Sequence, residues 1–190
     1  MIGAILTQNT NWKNVEKALS NLDDLGLLEP RKLLSADADE VREAIRPSGY
    51  YNQKAIKLAT FMEWLDSTVN CEIDRLADFS TDVLREELLS IRGIGPETAD
   101  DILLYALDRP VFVVDTYTLR IAYRHGWIPM DVGYTELAET FAGALDEDLD
   151  LFKNYHALIV EVGKTYCKKK MPLCENCPGK ALLPEGGAYE

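Results

Sequence analysis

The chain has 190 residues, 47% of them apolar and 27% charged, the profile of a globular protein with one compact domain or two small lobes. No apolar run approaches the roughly 20 residues of a membrane helix. The opening residues lack the basic flank and cleavage site of a signal peptide, which predicts a cytoplasmic protein. The formal net charge of −12 counts against nucleic-acid binding, but the charge is uneven. Residues 151–190 hold six lysines against four glutamates, so the acidic excess lies in residues 1–150. Net charge bears more on solubility than on one binding groove.

Apolar residues recur at three- and four-residue steps over 2–22, 40–46, 53–69, 82–91, 97–107, 116–127, 135–145 and 151–166, which predicts helices nearly throughout. The first helix is under way at residue 2 with no cap before it. Breaks fall at Pro30, Pro47-Ser48-Gly49, Gly93-Ile94-Gly95-Pro96, Arg109-Pro110, 126–129 and Pro172. One β-like run, Val111-Phe112-Val113-Val114, is too short to anchor a sheet. The expected fold is all-α, with two helical lobes and a groove between them. Residues 1–108 would form a helical lobe containing a helix–hairpin–helix at about 83–107, and residues 109–190 a C-terminal lobe ending in a cysteine-containing loop.

The sharpest local feature is Ser90-Ile91-Arg92-Gly93-Ile94-Gly95-Pro96-Glu97-Thr98-Ala99-Asp100, two amphipathic helices around a glycine-bracketed turn. Pro96 suits the first position of the second helix. Gly93 and Gly95 allow positive φ and close approach of a ligand, and N–H groups at a helix start can hold a phosphate. Thr98 and Ala99 are small enough for close helix packing. An ordinary helical hairpin explains the spacing equally well. Further on, Asp115 follows four apolar residues and precedes Thr116-Tyr117-Thr118. It can cap the next helix, stabilise developing positive charge, or do both.

This hairpin followed by Val114-Asp115-Thr116 resembles the endonuclease III superfamily of DNA glycosylases, from residue 1 to about 177. Leu6-Thr7-Gln8-Asn9-Thr10, Gly49-Tyr50-Tyr51-Asn52-Gln53-Lys54-Ala55 and residues 156–167 fall where the family has matching segments. The resemblance implies base excision from double-stranded DNA containing damaged bases, with Asp115 as the catalytic residue. It places Asn9, Tyr50, Lys54, Gly93, Gly95 and Thr98 at the DNA. Bifunctional members carry a sugar-attacking lysine where this chain has Glu97, and a carboxylate cannot form an imine.

The motifs around Trp12, Tyr50 and Glu97 most resemble the 3-methyladenine subgroup, whose substrate is a cationic purine. Trp12 and Glu97 would line its base pocket by stacking and charge attraction, though Trp12 suits core packing equally well. Tyr50 is the expected wedge for the gap left by a flipped base, or else a plain exposed loop residue. The subgroup's segment ahead of the first helix has no counterpart in this sequence. Adenine-mismatch relatives place a catalytic glutamate where this chain has Gly3.

Cys167, Cys174 and Cys177 match the first three ligands of the family's iron–sulfur loop, and Leu183 stands at the fourth. Three such cysteines can hold a [4Fe-4S] cluster with a carboxylate or water as fourth ligand, or zinc, with a chance cluster of three free thiols as the alternative. Lys168, Lys169 and Lys170 lie in the loop that meets phosphates in relatives. The leading reading is a monofunctional glycosylase for alkylated purines. The alternatives are a non-catalytic DNA-binding module and a glycosylase with lyase activity of the endonuclease III type.

Overall fold

A computed structural model of the chain describes residues 1–189, and among them every regular element is helical. The chain divides after Leu107 into two compact units. In the first, α1 (Ile2–Leu6) and α2 (Trp12–Asp24) replace the single helix expected over 2–22. Asn9 breaks it at φ +55°, a left-handed conformation that asparagine tolerates better than most residues. The Asn11 side chain then accepts the Asn14 N–H and restarts the helix. Pro30 marks the expected break: α2 has ended at Asp24, and Pro30 opens α3 (Pro30–Ser35), where a missing N–H costs nothing. Then come α4 (Ala38–Ala44), a 3-10 turn at Arg46–Ser48, α5 (Tyr51–Val69), α6 (Thr81–Ser90) and α7 (Pro96–Ala106).

Ile5, Leu6, Phe61, Leu65, Leu84, Leu88 and Leu103 are wholly buried in this unit, each stabilising it by roughly 1.5–3 kcal/mol. Lys54 lies among them at 2% exposure. Its ammonium donates to the Leu6 carbonyl at 2.8 Å and the Ser48 carbonyl at 2.7 Å, tying the end of α1 to the turn before α5. Burial, helped by the nearby Lys57 charge, lowers its pKa to about 8. The expectation that Lys54 lies at the DNA is therefore corrected: its head group bonds to carbonyls inside the protein. The hairpin helices are joined by a buried fork. Arg85 Nε and Nη2 donate to the two oxygens of Asp100 at 2.7 and 3.1 Å, and Asp100 is 1% exposed.

The second unit contains α8 (Thr116–Arg124), α9 (Tyr134–Gly143) and α10 (Leu149–Thr165), followed by 3-10 turns at Cys174–Asn176 and Lys180–Leu182. Its β-like run is extended but pairs with no strand among the described residues. Phe112 stacks on Phe141 at 5.0 Å and meets Phe152 edge-on at 5.5 Å, so the apolar pattern reflects burial. The Val114 N–H donates to the Tyr134 hydroxyl at 3.4 Å, one backbone group satisfied without a sheet. Helices α8 and α10 pack so closely that a Cβ on Gly163 would lie 2.6 Å from the Tyr117 Cβ.

Candidate active site

Asp115 is the N-cap of α8. Its Oδ1 accepts the Thr118 N–H at 2.7 Å and the Thr118 hydroxyl at 2.9 Å, while the Asp115 N–H donates to Thr118 Oγ1 at 3.3 Å. This reciprocal box fixes the rotamer and leaves Oδ2 aimed elsewhere. That second oxygen lies 3.9 Å from Nε2 of His156 on α10, and the two side chains are only 10% and 12% exposed. Burial pushes His156 below its ordinary value near 6.5, and the Asp115 carboxylate pulls it part of the way back. Burial thus biases His156 toward the neutral imidazole, facing Asp115 Oδ2. Such a pair can stabilise a cation and accept a proton from water. The cap uses Oδ1 alone, which leaves Oδ2 available for the reactive role expected from sequence.

In the first unit, the hairpin turn places its two glycines in different circumstances. Gly93 takes φ +95°, and a Cβ there would strike the Lys57 side chain at 2.8 Å. Gly95 has ordinary backbone and nothing within 4 Å of a Cβ, so its surface is open to an approaching backbone. Glu97 is exposed in the first turn of α7. Thr98 is 6% exposed, and its hydroxyl accepts from Gln8 Nε2 at 2.9 Å. The Thr98 side chain is therefore turned inward, which leaves only its backbone for an outside ligand. Gln8 also donates to the Gly93 carbonyl at 3.2 Å and accepts from Lys57. Sequence reasoning singled out the neighbouring Asn9 and gave Gln8 no role, although Gln8 braces the hairpin.

Trp12 is 51% exposed at the start of α2, with its ring edge against Gly3. Core packing is thus not its role. A side chain longer than hydrogen at Gly3 would press on that ring, since a Cβ there falls 3.3 Å from it. Asn9 is exposed on the loop before α2. Tyr50 is 67% exposed and sits at φ +47°, a left-handed conformation that costs a residue with a Cβ on the order of 1–2 kcal/mol.

Lys168, Lys169 and Lys170 are all exposed on a loop pinned from below. Arg120 donates to the Cys167 carbonyl at 2.7 Å. Arg124 donates to the Lys168 and Lys169 carbonyls and lies 3.3 Å from Cys167 Sγ. These arginines were missed because their partners are backbone atoms, which leave no mark in a pattern of residue types. Cys167, Cys174, Cys177 and Leu183 line one cavity together with Arg124 and His125. Among the described residues no three His, Cys, Asp or Glu side chains converge as a single metal ion requires.

The family model described as HhH-GPD superfamily base excision DNA repair protein matches residues 2–146. A Methanocaldococcus jannaschii protein named as a DNA repair glycosylase is 51% identical over 181 residues, covering 95% of this chain and 82% of its own length. Endonuclease III of Sulfolobus acidocaldarius is 32% identical over 179 residues, covering 93% and 77%. A non-covalent endonuclease III–DNA complex superposes with a TM-score of 0.80 at 25% identity, over 97% of this chain and 81% of that one. The H. pylori 3-methyladenine DNA glycosylase bound to 1,N6-ethenoadenine gives 0.73 at 32% identity, over 86% and 82%.

Proposed function

Because the chain belongs to the HhH-GPD superfamily of base excision DNA repair proteins and is a DNA N-glycosylase, we propose that it acts monofunctionally, on alkylated purines. The observation that carries the reading is the Asp115 carboxylate, held by its cap with one oxygen toward a buried imidazole. As the bond from C1′ to the base nitrogen breaks, its electron pair leaves with the base and the sugar gains cationic character. Asp115 Oδ2 stabilises that charge and takes the proton of the water that adds to C1′. The product is an abasic site in an intact strand.

Glu97 supports the absence of a lyase step, since a carboxylate forms no imine. Lys54 does not replace the missing amine, because both of its observed bonds run to interior carbonyls. The exposed Trp12 ring and the Glu97 charge suit a flat cationic base, which already leaves readily. Gly93, Gly95 and the backbone of Thr98 would meet a phosphate, Lys168, Lys169 and Lys170 would add positive charge, and Tyr50 and Asn9 would fill and read the gap left in the duplex.

The test is a panel of end-labelled duplexes carrying 3-methyladenine, uracil, thymine opposite guanine, or an oxidised pyrimidine. The expected result is release of the alkylated purine, strand breaks only after alkali, and no complex trapped by borohydride. A trapped complex would overturn the monofunctional assignment. Release confined to pyrimidines would overturn the purine assignment.

A further inference from the structure

The cysteine loop presents three thiols and no fourth. Cys167, Cys174 and Cys177 line one cavity, and Leu183, at the family's fourth position, lines it too with a side chain that ligates nothing. Thiolates are the usual donors of an iron–sulfur cluster, and these three share one cavity. A second donor type reaches the same cavity from another element. His125, the C-terminal cap of α8, is 9% exposed and forms part of the wall. Its ring nitrogen and a thiol sulfur flank one point: a Cβ built on Gly179 would lie 3.4 Å from His125 Nε2 and 3.7 Å from Cys177 Sγ.

The other ring nitrogen supplies independent support. His125 Nδ1 lies 2.8 Å from the Ile121 carbonyl, the shorter of the ring's two carbonyl contacts, which assigns the proton of the neutral ring to Nδ1. In the neutral ring Nε2 then holds a lone pair, and its neighbour at 3.3 Å is the Gly179 carbonyl, which has no hydrogen to give. An imidazole with Nδ1–H anchored on a backbone carbonyl and Nε2 presented to a cavity of thiols is the arrangement adopted by metal-bound histidines.

We propose that this loop holds a [4Fe-4S] cluster through Cys167, Cys174, Cys177 and Nε2 of His125, the histidine supplying the ligand that Leu183 cannot. Such a cluster, when bound, rivets the loop that carries Lys168, Lys169 and Lys170. Exchanging one thiolate for a neutral imidazole removes a negative charge from the ligand set, so the cluster is easier to reduce than an all-cysteine one.

The experiment uses the full chain, purified without oxygen and reconstituted with iron and sulfide, with 15N-labelled histidine. Iron, sulfide and zinc are assayed, and pulsed EPR is recorded on the dithionite-reduced sample. Expected are bound iron and sulfide, a 15N coupling in the wild type, and its loss in His125→Cys with a lower midpoint potential. The double variant His125→Ala with Leu183→Cys should take up the cluster without the coupling. The wild-type measurement stands even if a variant fails to fold. A loaded cluster with no 15N coupling would overturn the assignment, and so would zinc uptake or failure to bind iron.

Discussion

Replacing Gly163 by alanine puts a methyl group where Tyr117 already stands. The added Cβ would lie 2.3 Å from a ring carbon of Tyr117 and 2.6 Å from its Cβ. A ring can rotate away, but a Cβ moves only with its backbone, so α8 must retreat from α10. Overpacking of this kind costs typically 1–3 kcal/mol. Alanine returns about 1 kcal/mol through its better helix propensity. A clash that no rotamer relieves takes the upper half of that range, roughly 2–3 kcal/mol, so the net expectation is a loss of about 1–2 kcal/mol, or on the order of 5 °C in melting temperature for a chain of this length. Because α8 begins at Asp115 and α10 carries His156, the same retreat should slow single-turnover base release by roughly 10- to 100-fold. Gly143→Ala is the control, since nothing lies within 4 Å of its Cβ. Calorimetry and rapid quench read the two effects, and adding Tyr117→Ala should recover little, because alanine keeps the Cβ that lies 2.6 Å away. A Gly163→Ala protein as stable as the wild type would refute the reasoning.

Asp115→Asn keeps a competent cap, so stability should stay within about 0.5 kcal/mol while base release falls at least 100-fold; equal losses in both would make Asp115 a cap alone. Asp100→Ala removes both oxygens that hold the Arg85 guanidinium and should destabilise by about 1.5–3 kcal/mol in urea melts, and a loss under about 0.5 kcal/mol would deny the fork its role. Tyr50→Gly relieves a left-handed backbone at the cost of chain entropy, so melting should barely move while release from duplex DNA drops; unaffected release would remove the wedge role. His156 is held below its unfolded value near 6.5, so the unfolded chain takes up the proton first as the pH falls. Its contribution is therefore complete above about pH 6.5 and is lost as the pH drops through the lower folded value. Wild type should lose more stability than His156→Gln between pH 7.5 and 5, and parallel profiles would sink the idea.

Much of the fold was legible because helical periodicity and breakers are local signals. The hairpin, Pro96 at the head of α7 and Asp115 at the head of α8 all announce themselves within a few residues. Asn9 interrupts an unbroken apolar pattern through its own φ. The other failures share a cause: partners that are distant or lie on the backbone. Lys54 looks like a surface cation, yet the carbonyls that hold it belong to Leu6 and to a turn. His156 was noticed only as the edge of a matching segment, and its approach to Asp115 depends on how α10 packs against α8. His125 gave no signal at all, because nothing near it in the sequence suggests thiols.

The double duty of Asp115 has a consequence for the history of such proteins. A reactive carboxylate is usually a burden on the fold, and a lineage that abandons the chemistry tends to shed it. Here the same side chain fastens the first turn of α8, so selection for folding alone would retain a capping residue there, aspartate or asparagine. A descendant that no longer excised bases would still display one of the two, like a key left in a lock no longer used. The trace of lost activity would be sought across the gap, at His156, which sits inside α10 and caps no helix.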